Sequence, residues 1–356
     1  TLGLGVLQSF ASLEELEALL RGDSMGRWMT AKSDGVPNSI RSFAAYSIGL
    51  TAIDLDAKQK ERAVSVLWET LASSPSSVDL QAACLVSLGM IKPEHPDDLA
   101  WKLLGVLRDK ETPLQVRAMC PSAITRTVRG LPSSHELRSE FRSTLKSLLR
   151  PNSPSLLRQS CIQSLGMLTG GSPETLTDDL EILEDFSHSG KILMERNFAC
   201  ISLAYLGAFC GDNTPIRTEA ARVLTLRLNA SNPSQRSWAG LALGILSANA
   251  TDWHGPSKMR ADQALLANFL ESGNPEEKSA FAIALGLSGQ SRALDPLIKL
   301  CQESSHPGMK GHAAIALGLL GDSKAETLLL KQLEAAKRQP VLLERTTIAL
   351  ALIGSE

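Results

Sequence analysis

KGHAAIALGLLGD, residues 310–322, carries two glycines, Gly318 and Gly321, inside a run rich in alanine and leucine. Glycine within a helix costs about 0.5–1 kcal/mol relative to alanine, so each needs a physical reason. GLLG reads either as part of a ligand loop or as part of a packed helix. The rest of the chain decides between the two, and with them the fold.

Relatives of the stretch recur along the 356 residues. They are RSFAAYSIGL from Arg41, QAACLVSLGM from Gln81, RQSCIQSLGML from Arg158, RNFACISLAYLG from Arg196, RSWAGLALGIL from Arg236 and KSAFAIALGLSG from Lys278. With the first residue of each counted as zero, a small residue or cysteine recurs at plus three: Ala44, Cys84, Cys161, Ala199, Ala239 and Ala313. Leu or Ile fills plus seven, from Ile48 to Leu317. Glycine dominates plus eight, at Gly49, Gly89, Gly166, Gly244, Gly286 and Gly318, with Thr125 and Ala204 as exceptions. Successive plus-eight residues lie 32 to 42 positions apart, and the three positions fall on neighbouring parts of one helical face. Gly318 is therefore expected to pack, letting a helix of the same or the next repeat come close. Gly321 stands at plus eleven, like Gly207, Gly289 and Gly354. There a glycine supplies the left-handed turn that ends a helix.

The helix starts agree. Thr112-Pro113, Ser153-Pro154, Asn232-Pro233 and Asn274-Pro275 each read as a capping residue followed by proline at the first helical position. Asn274 and Glu277 form a capping-box-like pair. Between these helices lie amphipathic second helices such as AKQKERAVSVLWETL, PDDLAWKLLGVLR and HELRSEFRSTLKSLL. One unit departs from the pattern: VRAMCPSAITRTV holds Pro121 and Thr125, so a kink or a late helix start is expected there.

Composition agrees with an all-helical chain. Aromatics make up 4% and hydrophobic residues 43%, and the net charge of −2 exerts no global pull toward nucleic acid or anionic membranes. No apolar run approaches the roughly 18–20 residues that span a bilayer. The chain begins at Thr1, and TLGLGVLQSF resembles the tail of a helix, with LGVL at Leu4–Leu7 matching LGIL at Leu243–Leu246. A missing upstream portion is expected, and residues 1–356 read as a single α-solenoid domain.

These motifs resemble HEAT repeats, and KGHAAIALGLLGDSKAETLLLKQL resembles the short HEAT-like repeat named after phycobilisome lyases. A second likeness is to the repeats of proteasome base subunits, through GLALGIL. The expected fold class is all-α: a right-handed α-solenoid of about nine two-helix repeats. The resemblance implies a curved superhelix whose proline-started helices line an inner, concave surface. It implies no single activity, because the family spans scaffolds, chromophore lyases, DNA-repair enzymes and an iron-dependent hydroxylase. The hydroxylase branch binds iron through several His-Glu pairs, whereas this chain has only His135-Glu136.

Candidate chemistry is sparse. Arg41, Arg117, Arg158, Arg196, Arg236, Lys278 and Lys310 form a ladder of position-zero cations. Exposed, it could track phosphates; turned inward, its members would bond carboxylates or carbonyls within the repeats. Six cysteines without CxxC spacing read as buried thiols, with no metal and no cofactor expected. GDS at Gly22–Ser24 recurs at Gly321–Ser323 and reads as turn punctuation. Residues 21–38 form a long connection that exposes Met25, Trp28 and Met29, and residues 250–260, with Trp253 and His254, form a second insertion. The expected function is a noncatalytic scaffold that binds another protein or peptide. Phe43, Tyr46, Gln159, Gln163, Asn197 and Trp238 on the inner helices, with Trp28 and Met29, are the candidate contacts. Nucleic-acid binding through the cation ladder is the alternative.

Overall fold

The computed structural model describes residues 13–31, 34–52, 55–74, 77–212 and 214–354. The LGVL remnant at Leu4–Leu7 lies outside them. The chain divides into two compact units, Thr1–Leu168 and Thr169–Glu356, at a place where the sequence shows no linker.

In the first unit the helices are α1 (Leu13–Arg21), α2 (Ser24–Thr30), α3 (Asn38–Thr51), α4 (Ala57–Ser73), α5 (Val78–Leu88), α6 (Pro96–Arg108), α7 (Leu114–Arg117), α8 (Cys120–Val128), α9 (Glu136–Leu148) and α10 (Ser155–Met167). In the second they are α11 (Pro173–Ser189), α12 (Leu193–Ala208), α13 (Thr214–Arg227), α14 (Pro233–Asn249), α15 (Pro256–Glu271), α16 (Pro275–Ser288), α17 (Leu294–Glu303), α18 (Pro307–Leu320), α19 (Glu326–Ala335) and α20 (Pro340–Ile353). Among the described residues there is no strand. First helices stack on first helices: α3 on α5 in one unit, and α12 on α14, α16, α18 and α20 in turn in the other. Second helices α11, α13 and α15 form a parallel layer in the second unit. This is an all-α solenoid, in which each hairpin buries its apolar face only against its neighbours.

The plus-eight glycines set the closeness of that stack. A Cβ added at Gly244 would lie 2.8 Å from Cα of Ala284, at Gly286 2.8 Å from Cα of Ala316, and at Gly318 2.7 Å from Cα of Ala349. Gly49 meets Ser87 and Gly89 meets Ala123 in the same way. Each partner belongs to the next repeat, so the packed neighbour is the following first helix. Gly289, Gly321 and Gly354 end their helices in the left-handed region, at φ 67°, 67° and 83°. Gly207 corrects the expected series: it lies inside α12, where a Cβ would stand 3.0 Å from Cβ of Ala220, so it packs and does not cap.

Pro121 produces the late start. A four-residue α7 ends at Arg117, the chain turns, and α8 begins with proline in its first turn. Of the proline-led starts, Asn232 and Asn274 cap as expected, their side-chain oxygens accepting backbone N–H groups at 2.9 Å. At the other two, Pro113 and Pro154 themselves occupy the cap position. Thr112 instead donates to Asp109. Glu277 does not close a capping box either, because its carboxylate turns to Arg236 and Ser272.

Candidate functional site

The position-zero arginines hydrogen-bond carbonyls in the last turns of the preceding helices or just beyond their ends. Arg41 Nε donates to the Leu20 carbonyl at 2.8 Å, and Arg117 Nε to Leu107 at 3.0 Å. Arg196 Nη1 donates to Gly190 at 2.8 Å, and Arg236 Nη1 to Ala230 at 2.9 Å. Arg158 bonds the carbonyls of Pro151 and Ser153. The last carbonyls of a helix have no partner within it, and the negative end of its dipole favours a cation there. Burial pushes the Arg41 guanidinium below its ordinary value. Lys278 reaches the Phe269 ring at 5.5 Å, and Lys310 lines an open cleft with Lys331.

A second set of arginines, on second helices, escaped the sequence reading. Arg138 bonds the Val128 carbonyl at 2.9 Å, Arg142 that of Leu168 at 2.9 Å, and Arg217 that of Gly207 at 3.1 Å. All three are buried. They cap first helices as the position-zero arginines cap second ones. Their signal was weak, because ELRSEFRS also reads as an ordinary solvated helix face.

The outward face of the first helices is set by angle. At about 100° per residue, positions zero, plus three, plus four and plus seven point into each hairpin. Positions plus two, plus five and plus nine point the opposite way. The outward residues form a half-exposed apolar stripe. In the first unit it holds Phe43, Tyr46 and Leu50 on α3, and Gln163 and Met167 on α10. In the second unit it runs through Phe198, Ile201 and Tyr205 on α12, then Trp238, Leu241 and Ile245 on α14. Ala280, Ile283 and Leu287 on α16 continue it, and His312, Ile315 and Leu319 follow on α18. Phe198 and Trp238 meet edge to face at 5.9 Å. A groove of about 380 Å³ crosses α14, α16 and α18, lined by Leu241, Ala280, Ile283, His306 and His312. Burial, then the nearby Arg345, pushes the His312 imidazole below its ordinary value.

Of the expected contacts, Phe43, Tyr46, Gln163 and Trp238 thus lie on this stripe. Asn197 does not: it is 1% exposed. Gln159, half-buried, donates to the Ser155 hydroxyl at 3.0 Å. Both stand at plus one, on the flank that carries the plus-eight glycine and that the next repeat covers.

Residues 21–38 are not one long loop, because they contain α2, capped by Asp23 accepting from the Gly26 N–H at 3.0 Å. That helix leaves Trp28 81% exposed, with Met25 and Met29 also at the surface. Trp253 is buried and donates to the Ser257 hydroxyl at 3.0 Å, with Lys258 over its ring. The second insertion is therefore tied to the start of α15.

All six cysteines are buried, and none forms a disulfide. Burial pushes the thiols of Cys84, Cys120, Cys161 and Cys200 up to about 12, that of Cys301 to about 11, and Cys210 upward as well. At pH 8 the reactive thiolate is scarce at every site. Ellman's reagent is expected to label none of the six within minutes in native protein, and all six in guanidinium. A native thiol that reacts at once would mark a gap in the packing. Among the described residues no group of three His, Cys, Asp or Glu side chains could hold a metal ion. Nor is any helix among them long and apolar enough to cross a membrane.

Comparison with known proteins bears on this arrangement. Residues 263–351 match the family described as HEAT repeats. No curated protein matches. Among solved structures, the karyopherin Kap121p bound to Nup53p is similar at 14% identity and a TM-score of 0.51, over 96% of this chain and 37% of that one. Kap121p bound to the extreme C-terminus of the protein phosphatase Cdc14p is similar at 14% identity and a TM-score of 0.51, over 99% and 41%. Kap121p bound to the SUMO protease Ulp1p is similar at 13% identity and 0.52, over 95% and 37%. The chain spans about two fifths of the length of these karyopherins. It is an all-α repeat protein whose residues 263–351 carry the match to HEAT repeats.

Proposed function

We propose that this protein is a noncatalytic scaffold whose first-helix stripe takes a protein or peptide partner. The observation that carries the proposal is the half-buried, largely apolar column at plus two, plus five and plus nine, in register on four successive first helices of the second unit. A folded helix has no internal reason to repeat Phe, Trp, Leu and Ile on the face opposite its core. Contiguous apolar surface of this kind marks binding sites, and aromatic anchors commonly dominate their energetics. The similar karyopherin structures are complexes with other proteins, and binding by this chain is the corresponding proposal. The position-zero arginines favour nucleic acid less, since their guanidinium groups hydrogen-bond carbonyls of the repeats themselves.

The test is affinity capture from the native extract, with and without nuclease, read by mass spectrometry. A variant carrying Leu241→Asp, Ile283→Asp and Leu287→Asp is run beside the natural protein. A stoichiometric protein partner should survive nuclease and fall at least about tenfold in the variant, at an unchanged unfolding midpoint. Equal capture by both proteins would remove the stripe from consideration. A catch abolished by nuclease would favour the nucleic-acid alternative.

A further inference from the structure

A cleft of about 260 Å³ in the first unit lies between the C-terminal end of α6, the end of α7 and one face of α9. Arg108, Lys110 and Arg117 line it together with Ser143, Thr144 and Ser147. No carboxylate does. Arg117 is fixed by its Nε bond to Leu107. Arg108 donates through Nη2 both to the Thr144 hydroxyl at 2.7 Å and to the Glu140 carboxylate. Lys110 is exposed, and among the described residues no hydrogen bond or ion pair engages its ammonium. Ser143 and Ser147 are exposed and stand one helical turn apart on α9, so their hydroxyls share a face.

Two planar guanidinium groups, one ammonium and the Ser143 hydroxyl suit a tetrahedral oxyanion, while the Thr144 and Ser147 hydroxyls donate to the carbonyls of Glu140 and Thr144. Arginine binds such groups by paired donors, lysine as a point charge. Two neighbouring carboxylates are engaged: Glu140 with Arg108, and Asp109 with the Thr112 hydroxyl and the Glu111 N–H. A single phosphoryl group fits that arrangement, where a nucleic-acid backbone needs a repeated track.

We propose that this cleft binds one phosphoryl group, carried either by inorganic phosphate or by a phosphorylated side chain. The site is independent of the partner stripe and stands or falls separately. The full chain is titrated calorimetrically at fixed ionic strength with inorganic phosphate, then with a short peptide in its serine and phosphoserine forms. Lys110→Glu and Ser143→Asp change exposed residues and leave the packing intact. Each is expected to weaken phosphate binding at least tenfold. Lys58→Glu, at an exposed lysine on α4, makes the same change in net charge as Lys110→Glu and is expected to alter binding less than twofold. A phosphopeptide bound at least tenfold more tightly than phosphate identifies a phosphorylated side chain as the ligand; equal affinity identifies free phosphate. Absence of saturable binding by either probe overturns the proposal, and so does an equal loss in Lys58→Glu.

Discussion

Gly286→Ala is expected to destabilise the protein by about 1–3 kcal/mol, although it removes a glycine from a helix interior. Propensity alone predicts the reverse, a gain of about 1 kcal/mol. The structure sets the sign. An added Cβ would stand 2.7 Å from the carbonyl oxygen and 2.8 Å from Cα of Ala316 on α18. Both are backbone atoms, so no rotamer can relieve the contact, and α16 and α18 have to separate along their whole packed length. Gly105→Ala provides the control. Gly105 is exposed in α6, and nothing lies within 4 Å of its added Cβ. There the propensity term acts alone, and a gain of about 0.5–1 kcal/mol is expected. Denaturant midpoints of the two variants should move in opposite directions. Hydrogen exchange should place the Gly286→Ala loss in α16 and α18, because repeats couple only to their neighbours. A rise in both midpoints would show that the plus-eight glycines do not set the packing distance.

Angle explains what the sequence made legible. The buried positions plus three and plus seven carry residues of one size class in most repeats, so their period can be read without a structure. The plus-eight glycine marks one flank of the helix, and the structure shows its counterpart at plus six on the other. Ser87, Ala123, Ala284 and Ala316 all stand there. Once both flanks are known, plus one must be covered, which is why Asn197 is buried and Gln159 bonds within its own helix. Plus two and plus five must be outward, which is why Phe43, Tyr46, Gln163 and Trp238 lie on the stripe. The sequence alone located one flank only, so polar residues at plus one and aromatic residues at plus two looked equivalent. The arginines were ambiguous for a different reason. A guanidinium satisfies a helix terminus through carbonyl oxygens, and carbonyls leave no trace in residue identity. Helix ends were legible where a side chain or an αL glycine makes the cap, as at Asn232, Asn274 and Gly321. They were misread where proline itself occupies the cap position, as at Pro113 and Pro154.

Arg236→Met is expected to cost about 3 kcal/mol, a loss that Glu277→Leu should largely reverse when the two are combined. Arg236 links three segments. Its Nη1 holds the Ala230 carbonyl beyond the end of α13, and its Nε reaches Oε1 of Glu277 on α16 at 2.5 Å. Glu277 is 4% exposed, and its second oxygen accepts from the Ser272 hydroxyl at 2.7 Å. Removing the arginine leaves a buried carboxylate held by one hydroxyl, and breaking a buried pair from one side typically costs about 3–5 kcal/mol. The lower end applies because the arginine side chain is partly exposed, so water reaches the vacated site. Removing both charges restores an apolar contact of similar volume and abolishes the desolvation penalty. Unfolding free energies of the two single variants and the double variant form a cycle. A coupling near zero would mean that the pair does not join α14 to α16. A coupling of about 2 kcal/mol or more would make Arg236 a structural tie between repeats, with its guanidinium engaged at both ends and unavailable to a phosphate.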